Sequence, residues 1–231
     1  MEIVHIYWSD IKRYSYTPDQ IQLCMHLSGL CRREYLNPKD EERHVTGILL
    51  AEWGRRYCSS RYSNQKANCW IGFTQRPGER PSFAAESPLE FSVSHSEDIV
   101  VCAISNRSVG IDVEYSNNEI QDMMRQIARP EELGWINEHA KSDVELYQLW
   151  THKESYLKCI GSTISGIRKI FPMINNSTLI ERHNEFRFRP ISIRSEYAVT
   201  LCTTFDIDFL SVEEIEQPCL IKLLDKTQSP C

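Results

Sequence analysis

No two cysteines in this chain stand at C-x-x-C spacing, although there are nine of them: Cys24, Cys31, Cys58, Cys69, Cys102, Cys159, Cys202, Cys219 and Cys231. That lack removes zinc ribbons and thioredoxin-like redox sites, and the odd count argues against a disulfide framework. Cys102 and Cys202 lie in apolar runs, where a reduced thiol packs as a small hydrophobe. A basic excess is missing too. The 26 Lys and Arg against 32 Asp and Glu leave a formal net charge of −6. Nothing therefore draws the chain to nucleic acid in general, and an anion site must be a local basic pocket. No apolar run approaches the roughly 20 residues that cross a bilayer. The opening Met-Glu-Ile-Val-His lacks the basic stretch and apolar run of a signal peptide, so a soluble, cytoplasmic protein is expected. Short-period repeats, low-complexity segments and linkers are absent as well.

What is present can build a substantial core: 231 residues, 41% hydrophobic and 10% aromatic. That length exceeds one typical domain of ~100–150 residues yet suits a single compact unit. The β-branched and aromatic run at 3–8 predicts a strand. Residues 19–36 suit one or two short helices, and Val45, Ile48, Leu49, Glu52 and Trp53 give 40–57 a helical spacing. Pro77, Gly78, Pro81 and Pro88 predict a loop over 74–90. Strands are expected at 91–94 and 99–104 around the polar turn His95-Ser96-Glu97-Asp98, and again at 109–114. Residues 119–128 suit a helix, Pro130 opens another, and a longer one runs from Asp143 to about Ile160, stopped by Gly161. Further strands are expected at 186–188 and 197–203, while the tail from Gln217 carries no clear pattern. The alternation is that of an α+β or α/β fold.

Three segments carry candidate chemistry. Asp112 and Glu114 alternate with Ile111 and Val113, so both carboxylates leave one face of a strand. Paired acids need a cation, and hard oxygen ligands suit Mg²⁺; a solvated strand edge carries the same spacing. Trp150, Glu154 and Lys158 share a helical stripe at i, i+4, i+8, which brings a third carboxylate and an ammonium to one place. An ordinary surface Glu–Lys pair is the alternative. In Phe91-Ser92-Val93-Ser94-His95-Ser96 a strand runs into a polar turn that suits phosphate. Ser94 and His95 are neighbours on that strand and point apart, so they are not expected to form a nucleophilic dyad.

In this order FSVSHS, VGIDVE and WTHKESYLK resemble the motifs of the Sfp-type 4′-phosphopantetheinyl transferases. Weaker similarity covers most of the chain. The resemblance implies an α+β fold of two similar α/β halves, related by a pseudo-twofold axis and packed around a central cleft. Residues 1–107 would form the N-terminal half on the adenosine side of coenzyme A, and 108–231 the C-terminal half with the metal-binding strand and the WTHKESYLK helix. It implies transfer of the 4′-phosphopantetheine of coenzyme A to a serine of an apo-carrier protein, with release of 3′,5′-ADP. Asp112, Glu114 and Glu154 would hold Mg²⁺, or Mn²⁺ in its place. Arg43, His44, Arg80, Ser94 and His95 would serve coenzyme A and its phosphates, while Lys153 and Lys158 would serve the phosphates or support the site, Lys158 being the better candidate for direct contact. Glu154 is a candidate proton acceptor and Glu132 a candidate proton acceptor or supporting group, with Lys158 and His95 steadying charge on the departing group.

The chain also departs from the family pattern. The lysines usual before Cys-Arg-Arg are missing, so Arg32 or Arg33 would take their place, and Ala128-Arg129 replaces an aromatic-Ser/Thr lead-in before Pro130-Glu131-Glu132. Only Gly161-Ser162-Thr163-Ile164 remains of a glycine-rich stretch. A non-catalytic module binding coenzyme A or a carrier protein, and a metal-dependent nucleotide pyrophosphate hydrolase, are the rival readings. A monomer without nucleic-acid or membrane partners is expected, and the carrier's pathway is left open among fatty-acid, polyketide and non-ribosomal peptide synthesis.

Overall fold

The computed structural model describes residues 1–30, 37–62, 70–75, 80–84, 87–117, 120–138 and 143–225, with the side chains of 59–62, 121 and 143 outside the description. Arg32, Arg33, Pro77 and Gly78 lie outside the described residues. Contacts divide the chain into two compact units, residues 1–107 with 207–231 and residues 108–206.

The first unit starts with β1 (Ile3–Asp10), buried along its whole length. Helix α1 (Pro18–Ser28) begins at a capping box between Thr17 and Gln20, with Pro18 in the first turn, and ends at Gly29 in the left-handed conformation, φ 70°. Helix α2 (Pro38–Tyr62) follows. A two-stranded ribbon, β2 (Phe73–Thr74) with β3 (Ser82–Phe83), occupies part of the stretch expected as loop. The cause is aromatic: the rings of Phe73 and Phe83 lie 5.4 Å apart, and both pack on Phe91. Proline and glycine punctuation in the sequence hides that pairing. Strands β4 (Glu90–Ser96) and β5 (Ile99–Ser105) form a hairpin in which Ser96 pairs with Ile99. The turn is therefore only Glu97-Asp98, with Glu97 at φ 48°, and His95 and Ser96 belong to the strand rather than to the turn. Gly54 lets α2 close on this sheet, since a Cβ there would lie 2.3 Å from Ile104 Cδ1 and 2.7 Å from Tyr7 Cε2.

The second unit runs β6 (Val109–Tyr115), α3 (Ile120–Ile127), α4 (Pro130–Glu138) and α5 (Asp143–Cys159), then β7 (Ile174–Asn175), β8 (Thr178–Leu179), β9 (Arg182–His183), β10 (Phe186–Pro190) and β11 (Tyr197–Thr203). Its main sheet is antiparallel in the order β6-β11-β10-β9. Apolar residues of α5, among them Leu146, Leu149 and Leu157, join Trp135, Phe188, Ala198 and Cys202 in its core. The helix stops where the sequence predicts. Gly161 sits at φ 70°, its N–H bonds to Lys158 O at 3.3 Å and that of Ser162 to Leu157 O at 2.8 Å, the double closure of a glycine C-terminus.

Both units use one chain order, strand–helix–strand–strand, with the last strand placed between the other two. It gives β1-β5-β4 beside α2 and β6-β11-β10 beside α5.

The chain then returns to the first unit through β12 (Phe209–Glu214) and α6 (Gln217–Asp225). Strand β12 pairs in parallel with β1, from Ile3↔Phe209 to Trp8↔Glu214. Leu220, Leu223 and Leu224 of α6 enter the first core with Tyr16 and Leu49. The assignment of all of 108–231 to one half is corrected accordingly: residues 207–231 belong with 1–107. The free edge of β1 takes a strand from the far end of the chain, and no local pattern announces it. Among the described residues no helix is long and apolar enough to cross a membrane.

Candidate active site

Strand β6 carries Gly110, Asp112 and Glu114 on one face, and α5 lies against that face. A Cβ on Gly110 would fall 2.0 Å from Ser155 O and 2.4 Å from Cys159 N, so the helix backbone sits directly over this glycine. The close approach brings the helical stripe onto the acids. Lys158 Nζ donates to Asp112 Oδ1 at 2.7 Å, and Trp150 Nε1 donates to Glu114 Oε1 at 3.2 Å. Asp112 is only 2% exposed. The expected same-face carboxylates and the i, i+4, i+8 stripe thus meet, all within the second unit. Lys158 pairs with Asp112 across the helix–strand interface, which disposes of a plain Glu154–Lys158 surface pair.

Glu154 lies between the two contacts on the same stripe. Burial, then Asp112 and Glu114, push its carboxyl up to about 7, with Lys158 opposing. Its Oε1 is buried and has no hydrogen-bond partner among the described residues. Such an oxygen, in acidic company, calls for a cation or a proton. Among the described residues no three His, Cys, Asp or Glu side chains are gathered as a finished metal cage. The acid set is a partial one, with an ammonium already on Asp112.

Beneath the acids lies a polar network that the sequence did not announce. Thr200, the cross-strand neighbour of Asp112, takes part with Thr151 at 2.8 Å, Gln148 Nε2 at 2.6 Å and His152 Nδ1 at 3.1 Å. His152 Nδ1 also lies 2.7 Å from Gln148 O. A carbonyl only accepts, so Nδ1 carries a proton. Burial lowers the His152 pKa to about 4. The only signal for this network was the period of α5, which turns His152 inward while Glu154 faces β6.

Two expected site residues turn out to be internal struts. Glu132 and Lys153 are both 0% exposed, with Lys153 Nζ 2.8 Å from Glu132 Oε1. Glu132 Oε2 accepts from Arg129 N at 2.9 Å and Oε1 from Met173 N at 2.8 Å. The side chain thereby caps the first turn of α4 and ties it to the loop at Met173. Burial pulls the Lys153 pKa down and Glu132 pushes it back. Of the two roles expected for each, this position fits support of the site: both oxygens of Glu132 accept hydrogen bonds and the Lys153 ammonium is buried against them.

In the first unit, a cavity of about 190 Å³ is lined by Arg43 and His44 of α2 and by Phe91, Val93 and His95 of β4, among others. Arg43 is fixed by Nε to Glu97 O and Nη1 to Asp40 Oδ1, both at 2.8 Å. His95 joins Phe91 and Val93 because alternate residues of a strand share a face. By the same alternation Ser94 is buried on the opposite face and is not among the residues that line this cavity. Arg80 pairs with Glu90 and borders a different hollow with Phe83 and Leu89. The basic residues expected at one nucleotide site therefore divide, Arg43, His44 and His95 together and Arg80 apart.

The sequence that builds this site is similar to those of known proteins. Residues 108–209 fit the family model of the 4′-phosphopantetheinyl transferase superfamily. The chain is 29% identical to the 4′-phosphopantetheinyl transferase gsp of Aneurinibacillus migulanus over 204 residues, covering 84% of this chain and 83% of that protein. It is 27% identical to the 4′-phosphopantetheinyl transferase Sfp of Bacillus subtilis (strain 168) over 198 residues, 80% of this chain and 86% of the other. A shorter match of 92 residues reaches 33% identity with the 4′-phosphopantetheinyl transferase HetI of a Nostoc strain, 37% of this chain and 38% of that one.

Proposed function

We propose, from the fit of residues 108–209 to the 4′-phosphopantetheinyl transferase superfamily and the similarity to named 4′-phosphopantetheinyl transferases, that the chain moves 4′-phosphopantetheine from coenzyme A to a serine hydroxyl of an apo-carrier protein and releases 3′,5′-ADP. The observation that carries this reading is the closure of the Trp150–Glu154–Lys158 stripe on Asp112 and Glu114, inside the matched segment.

The residues suit a divalent cation, because Glu154 Oε1 is buried without a partner beside two further acids. Asp112, Glu114 and Glu154 would hold Mg²⁺ or Mn²⁺, with water and coenzyme A oxygens completing the shell. When bound, the ion would draw charge from the pyrophosphate and stabilise the departing 3′,5′-ADP. Lys158 would offer its ammonium to a phosphate oxygen. The serine oxygen forms the new bond to the β-phosphorus, the bond from that phosphorus to ADP breaks, and the serine proton passes to Glu154. Arg43, His44 and His95, gathered at their cavity, would bind the nucleotide end of the substrate. A monomer working in the cytoplasm, without nucleic-acid or membrane partners, completes the proposal.

The test is mass spectrometry of a panel of apo-carrier proteins incubated with this protein, coenzyme A and Mg²⁺. A gain of one phosphopantetheine on a carrier is expected, and its loss with Asp112→Ala. Release of ADP without any carrier, and no modified carrier in the panel, would overturn the reading in favour of hydrolysis.

A further inference from the structure

The Lys158–Asp112 pair sets a condition on any cation that enters the acid set. Asp112 is almost fully buried, and its Oδ1 is already engaged by an ammonium at 2.7 Å. Lys158 is the last residue but one of α5, with its side chain 27% exposed, so its tip reaches solvent while its stem lies along the helix–strand contact. The backbone around it is fixed: Lys158 O accepts from Gly161 N, and Cys159 O accepts from Ser108 Oγ at 2.8 Å. The side chain is thus the movable part. A buried carboxylate needs one counter-charge, and two cations held by the two oxygens of one carboxylate repel.

We propose that Lys158 is the resident counter-cation of Asp112 and that a divalent metal must displace it, so that ammonium and metal exchange at this carboxylate. The proposal rests on the metal role given above to Asp112, Glu114 and Glu154. Its consequence is a coupling. The freed ammonium needs another anion, and a pyrophosphate supplies one; without such an anion the exchange is unfavourable. Metal affinity is then low for the protein alone and higher with coenzyme A present, although no residue changes its place in the fold.

Mn²⁺ is the probe, its free concentration read by electron paramagnetic resonance without any turnover. For the wild type alone, weak binding is expected, strengthened by coenzyme A. Lys158→Met removes the competitor and is expected to tighten Mn²⁺ binding in the absence of coenzyme A by about ten-fold or more, the scale of one close charge pair. Lys158→Arg keeps the charge and should bind like the wild type. Equal affinity in wild type and Lys158→Met overturns the exchange while leaving the metal role standing. No Mn²⁺ binding to either protein, with or without coenzyme A, overturns both. Should Lys158→Met fail to fold, the wild type still decides. The Lys158 ammonium resonance, observed by ¹⁵N NMR, must shift as Mg²⁺ is added, and an unmoved resonance at saturating Mg²⁺ rejects the proposal.

Discussion

At the scale of single residues, the acid set works through neighbours that touch no substrate. Trp150 holds Glu114 by one indole N–H. Trp150→Phe keeps most of the ring's apolar surface and removes that donor, so it should lower stability by about 1–2 kcal/mol in denaturant titration and weaken Mn²⁺ binding in the presence of coenzyme A a few-fold. His152 makes a different prediction. Its folded pKa of about 4 lies below its ordinary value of 6.5, so the unfolded chain binds the proton more readily. The stability this neutral ring contributes is whole above pH 6.5 and is lost as the pH falls toward 4. The loss should reach about 2 kcal/mol at pH 5. Urea unfolding of wild type and His152→Gln between pH 7 and 5 should show a smaller pH slope in the variant. An equal slope would mean that the ring is hydrated. At this scale the sequence told which side chains carry charge but not which were sealed in. Lys153 stands beside Glu154 in the motif, yet helix rotation sends it inward, where it meets the equally buried Glu132. Ser94 and His95 are separated by strand alternation, which was legible, whereas the face that opens on a cavity was not.

At the scale of elements, β6 and α5 are held together by what one residue lacks. Gly110→Ala puts a methyl carbon into the helix backbone at Ser155 and Cys159. Neither can yield as a flexible side chain would, so the substitution should cost more than about 3 kcal/mol or prevent folding. Gly134 in α4 has nothing within 4 Å of a built Cβ, and Gly134→Ala should stabilise by about 0.5–1 kcal/mol through helix propensity. Thermal unfolding of the two variants, run side by side, separates close packing from mere glycine content. Elements with a strong local period were readable: β1, α2, β5, β6 and α5 lie where β-branched runs or helical spacing place them. The ribbon of β2 and β3 was not, because its stability comes from three phenylalanine rings brought together across a proline-rich stretch.

At the scale of the molecule, the boundary near residue 107 was legible only as half of the truth, because the last segment crosses back. Strand β12 shows exposed Phe209 and Val212 and weak alternation, since its partner β1 lies two hundred positions away in a pairing no window can see. Deleting residues 207–231 should therefore damage the first unit: it bares the edge of β1 and strips Leu220, Leu223 and Leu224 from the core. Limited proteolysis of the truncated protein should cut first within residues 1–107, with sites in 108–206 cleaved later. The reverse order of cleavage would count against the assignment of the tail.

The same crossing-back fixes an order of events at the ribosome. Residues 108–206 are contiguous, so everything the second unit needs has been synthesised once Asp206 clears the exit tunnel. The first unit, begun earlier, must wait with one sheet edge open until β12 and α6 emerge. During that interval the nascent chain carries a complete second unit and an incomplete first one, and the exposed β1 edge is its point of vulnerability to mispairing and to chaperone capture.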